Sequence, residues 1–144
     1  MFTAHTVSAY GKCFLEPFTV STSVHVVSIS AYIDSPAGVT TGGSIMVGIY
    51  SKLSTAPARL LWLSPSQLAS VGHINTISAQ LPSIPAGSYY LALEASSTLR
   101  IADNPDMSAD GMVLKTQWGH FPSLLVNAYP SYDAVALKAH VCSY

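Results

Sequence analysis

The chain has 144 residues, enough for one domain with a sizeable core, and charged residues make up only 9% of it, with a formal net charge of −1. A typical soluble domain carries about 25% charge, and a surface this poor in charge favours association, so much of it is expected to be covered by other copies of the protein. Six Lys and Arg scattered along the chain form no basic stripe, which argues against nucleic acid as a partner.

The N-terminal stretch "MFTAHTVSAYGKCF" lacks the basic start and continuous apolar run of a signal peptide, so the protein is expected to be made without one and either to act where it is made or to leave by cell lysis. Residues 1–23 read either as a strand added to the chain's own sheet or as an arm that pairs with another subunit. Next comes "SVHVVSISAYID" (23–34), where Val27, Ile29, Ala31 and Ile33 fall on one face and Ser28 and Ser30 on the other. "SIMVGIY" (44–50) puts Ile45, Val47 and Ile49 on one face, and "RLLWLS" (59–64) is a shorter apolar strand. Gly42–Ser64 is thus expected to give two strands whose inner faces join the core and whose outer apolar residues, Tyr50 and Trp62 among them, contact neighbouring subunits.

"SPSQLAS" (64–70) is the one segment with helical character, with Ser64 as N-cap and Pro65 at the first helical position. "HINTISAQL" (73–81) is a β-branched run. "GSYYLALEAS" (87–96) sets Tyr89, Leu91, Leu93 and Ala95 against Tyr90, Ala92 and Glu94, and "DAVALKAHVCSY" (133–144) sets Val135, Leu137, Ala139 and Val141 against Ala136, Lys138 and His140. Clusters of Pro, Gly, Asp and Asn at 34–38, 40–43, 54–57, 84–87 and 103–111 mark the reversals. Short alternating strands, regular turns and almost no helix predict one all-β domain over 1–144. The expected fold is an antiparallel β-sandwich of about eight strands, jelly-roll-like, with at most one short helical turn and a barrel as the rival.

No Asp, Glu, Lys or Arg occurs between Arg59 and Glu94, yet Pro65, Gly72, Pro82, Pro85 and Gly87 interrupt the run, and no window offers the ~20 apolar residues of a membrane span. His5, His25, His73, His120 and His140 show no metal-ligand spacing, so no metal or cofactor is expected. The acids Asp103, Asp106 and Asp110 lack the spacing of a calcium loop and suit a turn. No nucleophile elbow and no paired carboxylates can be named, so catalysis is not expected. Strands at the two ends of a sandwich can be neighbours, which leaves a Cys13–Cys142 disulfide geometrically open, while the lack of a secretion signal favours free, buried thiols.

The stretch with most potential for recognition is "TQWGHFPSLLVNAYPSYD" (116–133), which holds Trp118, His120, Phe121, Tyr129 and Tyr132. Aromatic faces beside hydrogen-bonding groups suit a sugar ring or a protein hot spot, and the same residues equally suit capping the open end of the sandwich or filling a subunit interface. Trp118, His120, Tyr129 and Tyr132 are the candidate ligand-binding residues, with a sugar as the candidate ligand.

The series "SIMVGIYSKLSTAPARLLWLS" followed by "LPSIPAGSYYLALEA" resembles the β-sandwich domains of bacteriophage fibre, tail-tip receptor-binding and capsid-decoration proteins. The matching positions are Gly48, Ile49, Tyr50, Pro57, Leu60, Leu61, Ala86, Gly87, Tyr89, Tyr90, Leu91 and Ala92, within residues 24–96. The resemblance implies a structural protein on a virion surface, a homotrimer attached to capsid or tail and contacting host glycan. The alternative is a carbohydrate-binding or receptor-binding module that uses the aromatics of 116–133.

Overall fold

A computed structural model describes residues 6–8, 11–34, 43–52, 57–79, 83–96, 99–102, 112–125, 129–130 and 137–143. Among them are twelve strands and no helix: β1 Thr6–Ser8, β2 Lys12–Val20, β3 Val24–Asp34, β4 Ser44–Ser51, β5 Leu60–Leu63, β6 Gln67–Leu68, β7 His73–Ser78, β8 Gly87–Ala95, β9 Arg100–Ala102, β10 Met112–Lys115, β11 Tyr129–Pro130 and β12 Leu137–Ser143. All pairings are antiparallel. They form two packed sheets, so the fold is the expected β-sandwich. In sheet A, β3 is flanked by β7 on one edge and by β12 and β9 on the other, with β1 beyond β9. Sheet B runs β11-β10-β2-β8-β4, and β5 and β6 share the far edge of β4.

Within residues 1–23, the described strands pair with the chain's own sheets: β1 joins sheet A, and β2 lies between β10 and β8 inside sheet B. The main core fills the space between the sheets. Ile29, Ala31 and Ile33 from sheet A meet Phe14, Ile45, Val47, Ile49, Leu91 and Leu93 from sheet B, all buried. Period-two alternation on each strand delivers these residues to one face.

Three local departures from the sequence reading have visible causes. The β3–β12 register jumps from Ser28↔His140 to Val26↔Val141, which makes Val27 a bulge residue and leaves it 51% exposed instead of core-facing. A second jump, from Tyr50↔Leu60 to Ile49↔Trp62, bulges Leu61 out of β5. Trp62 therefore stands opposite the buried Ile49 and packs against the main core, and it is Leu61 and Leu63 that are exposed. Finally, "SPSQLAS" contains strand β6 and no helical turn. Ser64 caps nothing: its hydroxyl accepts from Val47 N–H (3.0 Å) and donates to Pro65 O (2.9 Å), while its own N–H donates to Val47 O. These bonds hold the segment against β4, where Gln67 and Leu68 then pair.

Cys13 is buried in sheet B and Cys142 is exposed in sheet A, and both are free thiols. Cys142 is on the surface because it follows the bulge at the far end of β12, opposite His25.

The β4–β5 bulge leaves little room at Gly48. A Cβ there would meet Trp62 O at 3.0 Å, with Leu60 Cδ1 and Phe121 Cδ1 at 3.5 and 3.6 Å. Gly48→Val is expected to destabilise the fold by about 1–3 kcal/mol in urea unfolding, since the obstruction includes backbone that cannot turn away.

Candidate functional site

Strand β8 is buried along both of its faces. Tyr89, Leu91, Leu93 and Ala95 point into the main core, while Tyr90 and Ala92 belong to a second apolar cluster with Cys13, Leu15, Tyr50, Phe121 and Leu125 on the outer face of sheet B. An outer face needs a cover, and residues 116–125 supply it as a strap running from the β10 side of the sheet to β5.

The strap is tied down strand by strand. At its start Thr116 N–H donates to Gly11 O (3.1 Å), beside β2. Gln117–His120 is a tight turn, closed by His120 N–H donating to Gln117 O (3.0 Å) and possible because Gly119 adopts φ 82°. That turn sits over β8, where Gly119 N–H donates to Glu94 Oε1 (3.0 Å). Over β4, the Tyr50 hydroxyl donates to Pro122 O (2.7 Å), and Phe121 packs above Gly48. At β5, Leu60 N–H donates to Ser123 O and Leu125 N–H to Ala58 O, so the end of the strap adds a short edge to the sheet.

This geometry places most of the sequence-chosen residues. Tyr50 is fully buried inside its own chain, which corrects its assignment to a subunit interface: the strap, not a neighbouring subunit, lies over it. Trp118 and His120 are brought together on the exposed turn of the strap. Beside them an open cavity of about 540 Å³ is lined by Lys115, Thr116, Gln117 and His120. Of Tyr129 only the backbone, paired through β11 to Val113, is described, and Tyr132 lies outside the described residues. The stretch 116–133 was legible as irregular and aromatic, but its main described service is to bury Phe121 and Leu125.

The residue the sequence reading passed over is Glu94. It is the acid that ends the long uncharged run, it is 1% exposed, and its Oε2 has no hydrogen-bond partner among the described residues. Burial pushes its carboxyl up from 4.5 to about 7, against the opposing pull of the Gly119 N–H. Its neighbours shift in the same direction. Burial, reinforced by the Glu94 charge, raises the Cys13 thiol well above the ordinary range, and burial with the charges of Cys13 and Glu94 does the same to the Tyr50 phenol. A thiol held protonated is a poor nucleophile. Among the described residues no group of three His, Cys, Asp or Glu is placed to hold a metal ion.

No protein-family model matches this chain, nor does any curated protein or solved structure.

Glu94 gives stability an uncommon pH dependence. Unfolded, it loses its proton near pH 4.5, and folded it does so near pH 7, so the folded state holds the extra proton between these values. Its contribution is intact below about pH 4.5 and declines up to about pH 7, by at most about 1.4 kcal/mol per pH unit. Urea unfolding at pH 5 and pH 7.5 is expected to show the wild-type chain losing stability relative to Glu94→Gln. A constant difference between the two would contradict the assignment.

Proposed function

We propose that this protein is a non-enzymatic architectural subunit of a bacteriophage virion surface, a capsid-decoration or fibre/tail module that assembles with copies of itself. The observation that carries the reading is one uncharged side of the sandwich. Strands β5 and β6 both lie along the outer edge of β4, and Gln67 Nε2 of β6 reaches Thr76 O of β7 (3.4 Å), so the edges of the two sheets meet on that side. Leu61, Leu63, Leu68 and Ile74 are all exposed on these strands, Leu68 by 79% and Ile74 by 70%.

Asn75 keeps this side in shape. Its amide oxygen accepts from Ser70 N–H (2.7 Å), and its Nδ2 donates to Ser70 O and His73 O (both 3.0 Å), which fixes the loop between β6 and β7. From residue 60 to residue 93 the chain carries no Asp, Glu, Lys or Arg, so a partner chosen by charge finds little to recognise. A surface of exposed Leu and Ile without charge suits a second surface of the same kind. The resemblance of residues 24–96 to phage surface domains supplies the virion setting, with a homotrimer as its expected assembly and capsid or tail as its attachment point.

Light scattering across a dilution series is expected to give a persistent oligomer for the wild-type chain and a monomer for the Leu68→Lys/Ile74→Lys pair. A wild-type monomer at every concentration would overturn the reading.

A second reading, recognition of a host glycan, is favoured by one feature. Trp118 is 37% exposed at the tip of the strap turn, next to the cavity lined by Lys115, Thr116, Gln117 and His120. An exposed indole with amide and cationic groups alongside is the kind of surface a sugar ring stacks on. On a glycan array, Trp118→Ala is expected to abolish any signal the wild-type chain gives, and retention of that signal would exclude the site.

A further inference from the structure

The strap is unevenly fastened. Its far end is held by the burial of Phe121 and Leu125 and by three hydrogen bonds, from Tyr50 to Pro122, from Leu60 to Ser123 and from Leu125 to Ala58. The turn Gln117–His120 is different. Trp118, Gly119 and His120 are exposed, and among the described residues the turn's one hydrogen bond to the sheet is Gly119 N–H to Glu94 Oε1. The turn also keeps its own shape, because His120 N–H closes it and Thr116 Oγ1 donates to His120 O (2.9 Å). It is a preformed flap with one fastening, and the fastening is an acid.

The surroundings of that acid set what happens when it ionises. From β2 it faces the thiol of Cys13, from β4 Met46 and the phenol of Tyr50, from its own strand Ala92, and from the strap the Gly119 amide. The Tyr50 hydroxyl is already committed to Pro122 O. Lys115 and His120 flank the turn on its solvent side, and both are exposed. A neutral carboxyl is tolerable in such a place at the expense of one unpaired oxygen. A carboxylate needs donors on both oxygens and receives one, so its remaining route to hydration is through the turn that covers it.

We infer that the turn Gln117–His120 is a proton-dependent latch, closed on sheet B while Glu94 is protonated and lifted when Glu94 loses its proton, which admits water and solutes to Glu94 and to the buried thiol of Cys13. The moving part is small. Phe121 and everything beyond it stay seated, so the opening is local and leaves both sheets intact. Lifting brings the carboxylate into water, where it titrates in the ordinary range. The opening therefore grows between about pH 4.5 and pH 7 and levels off above, by up to about tenfold per pH unit within the window.

Reaction of Cys13 with a dipyridyl disulfide, which titrates thiols in mildly acidic solution, reads this opening directly. The measurement uses the full chain with Cys142→Ser, since Cys142 is exposed. Dividing each rate by that of the same chain unfolded in urea at the same pH cancels the ionisation of the thiol itself. The ratio is expected to rise by about tenfold or more from pH 5 to pH 7.5, and to stay flat when Glu94→Gln is added. A flat ratio in the Glu94 chain, or an equal rise in both chains, overturns the latch. Amide exchange in the unmutated chain tests the same opening without a thiol reagent. Protection of the Gly119 amide should fall over the same interval while that of Ile29, in the middle of sheet A, holds. Constant protection at Gly119, or loss at both amides together, would show that no local flap exists.

Discussion

Sheet B has two apolar faces, and the described residues form one other sheet. Everything unusual in the structure follows from that constraint. Sheet A covers the inner face, and the outer face, with Cys13, Leu15, Tyr90 and Ala92, would be an aggregation surface if it were left open. The strap solves the problem from within the chain, because a segment with irregular backbone can cross four strands and bond to side chains of β8 and β4 on the way and to backbone beside β2 and β5 at its ends. Gly48 allows the close approach at β4, and Gly119 allows the turn above β8.

The same constraint separates what the sequence disclosed from what it did not. Strand positions were legible because alternation is a property of a single segment: "SIMVGIY" and "GSYYLALEAS" announce themselves without knowledge of their neighbours. Bulges depend on two segments at once, and so the exposure of Val27 and Leu61 and the inward turn of Trp62 were out of reach. One clue to the strap was present. In "YYLALEA" both parities are apolar, which marks a strand buried on both sides, and a sandwich of two sheets buries a strand on one side unless something else covers it. The irregular, aromatic stretch at 116–133 was the natural candidate for that cover.

Low charge likewise divides into two parts once the fold is known. Some of it is internal: residues of β8, β4 and β2 that look surplus to a core are enclosed by the strap. The rest sits on the β5–β6–β7 side, where Leu61, Leu63, Leu68 and Ile74 have no cover within the described part of the chain. A protein that builds a dedicated strap for one apolar face yet leaves another bare treats the two differently. The bare face lies along strand edges, the usual place for one chain to meet another, and β5, β6 and β7 carry neither the lysines nor the prolines that blunt such edges.

Glu94 is the point at which the strap departs from pure packing. Any apolar residue of similar size would have joined the Cys13–Tyr50–Phe121 cluster without leaving an unpaired oxygen, and a Gln would have offered the same acceptor to Gly119 with no charge to bury. An acid in that position does what neither alternative can, which is to make one fastening of the strap conditional on a proton. The hydrogen bond to Gly119 by itself does not require it, since a neutral acceptor serves a backbone N–H well. The choice of a carboxyl under an otherwise apolar cover is therefore best understood through its two protonation states, with the Cys13–Tyr50–Phe121 cluster enclosed in one and locally open to solvent in the other.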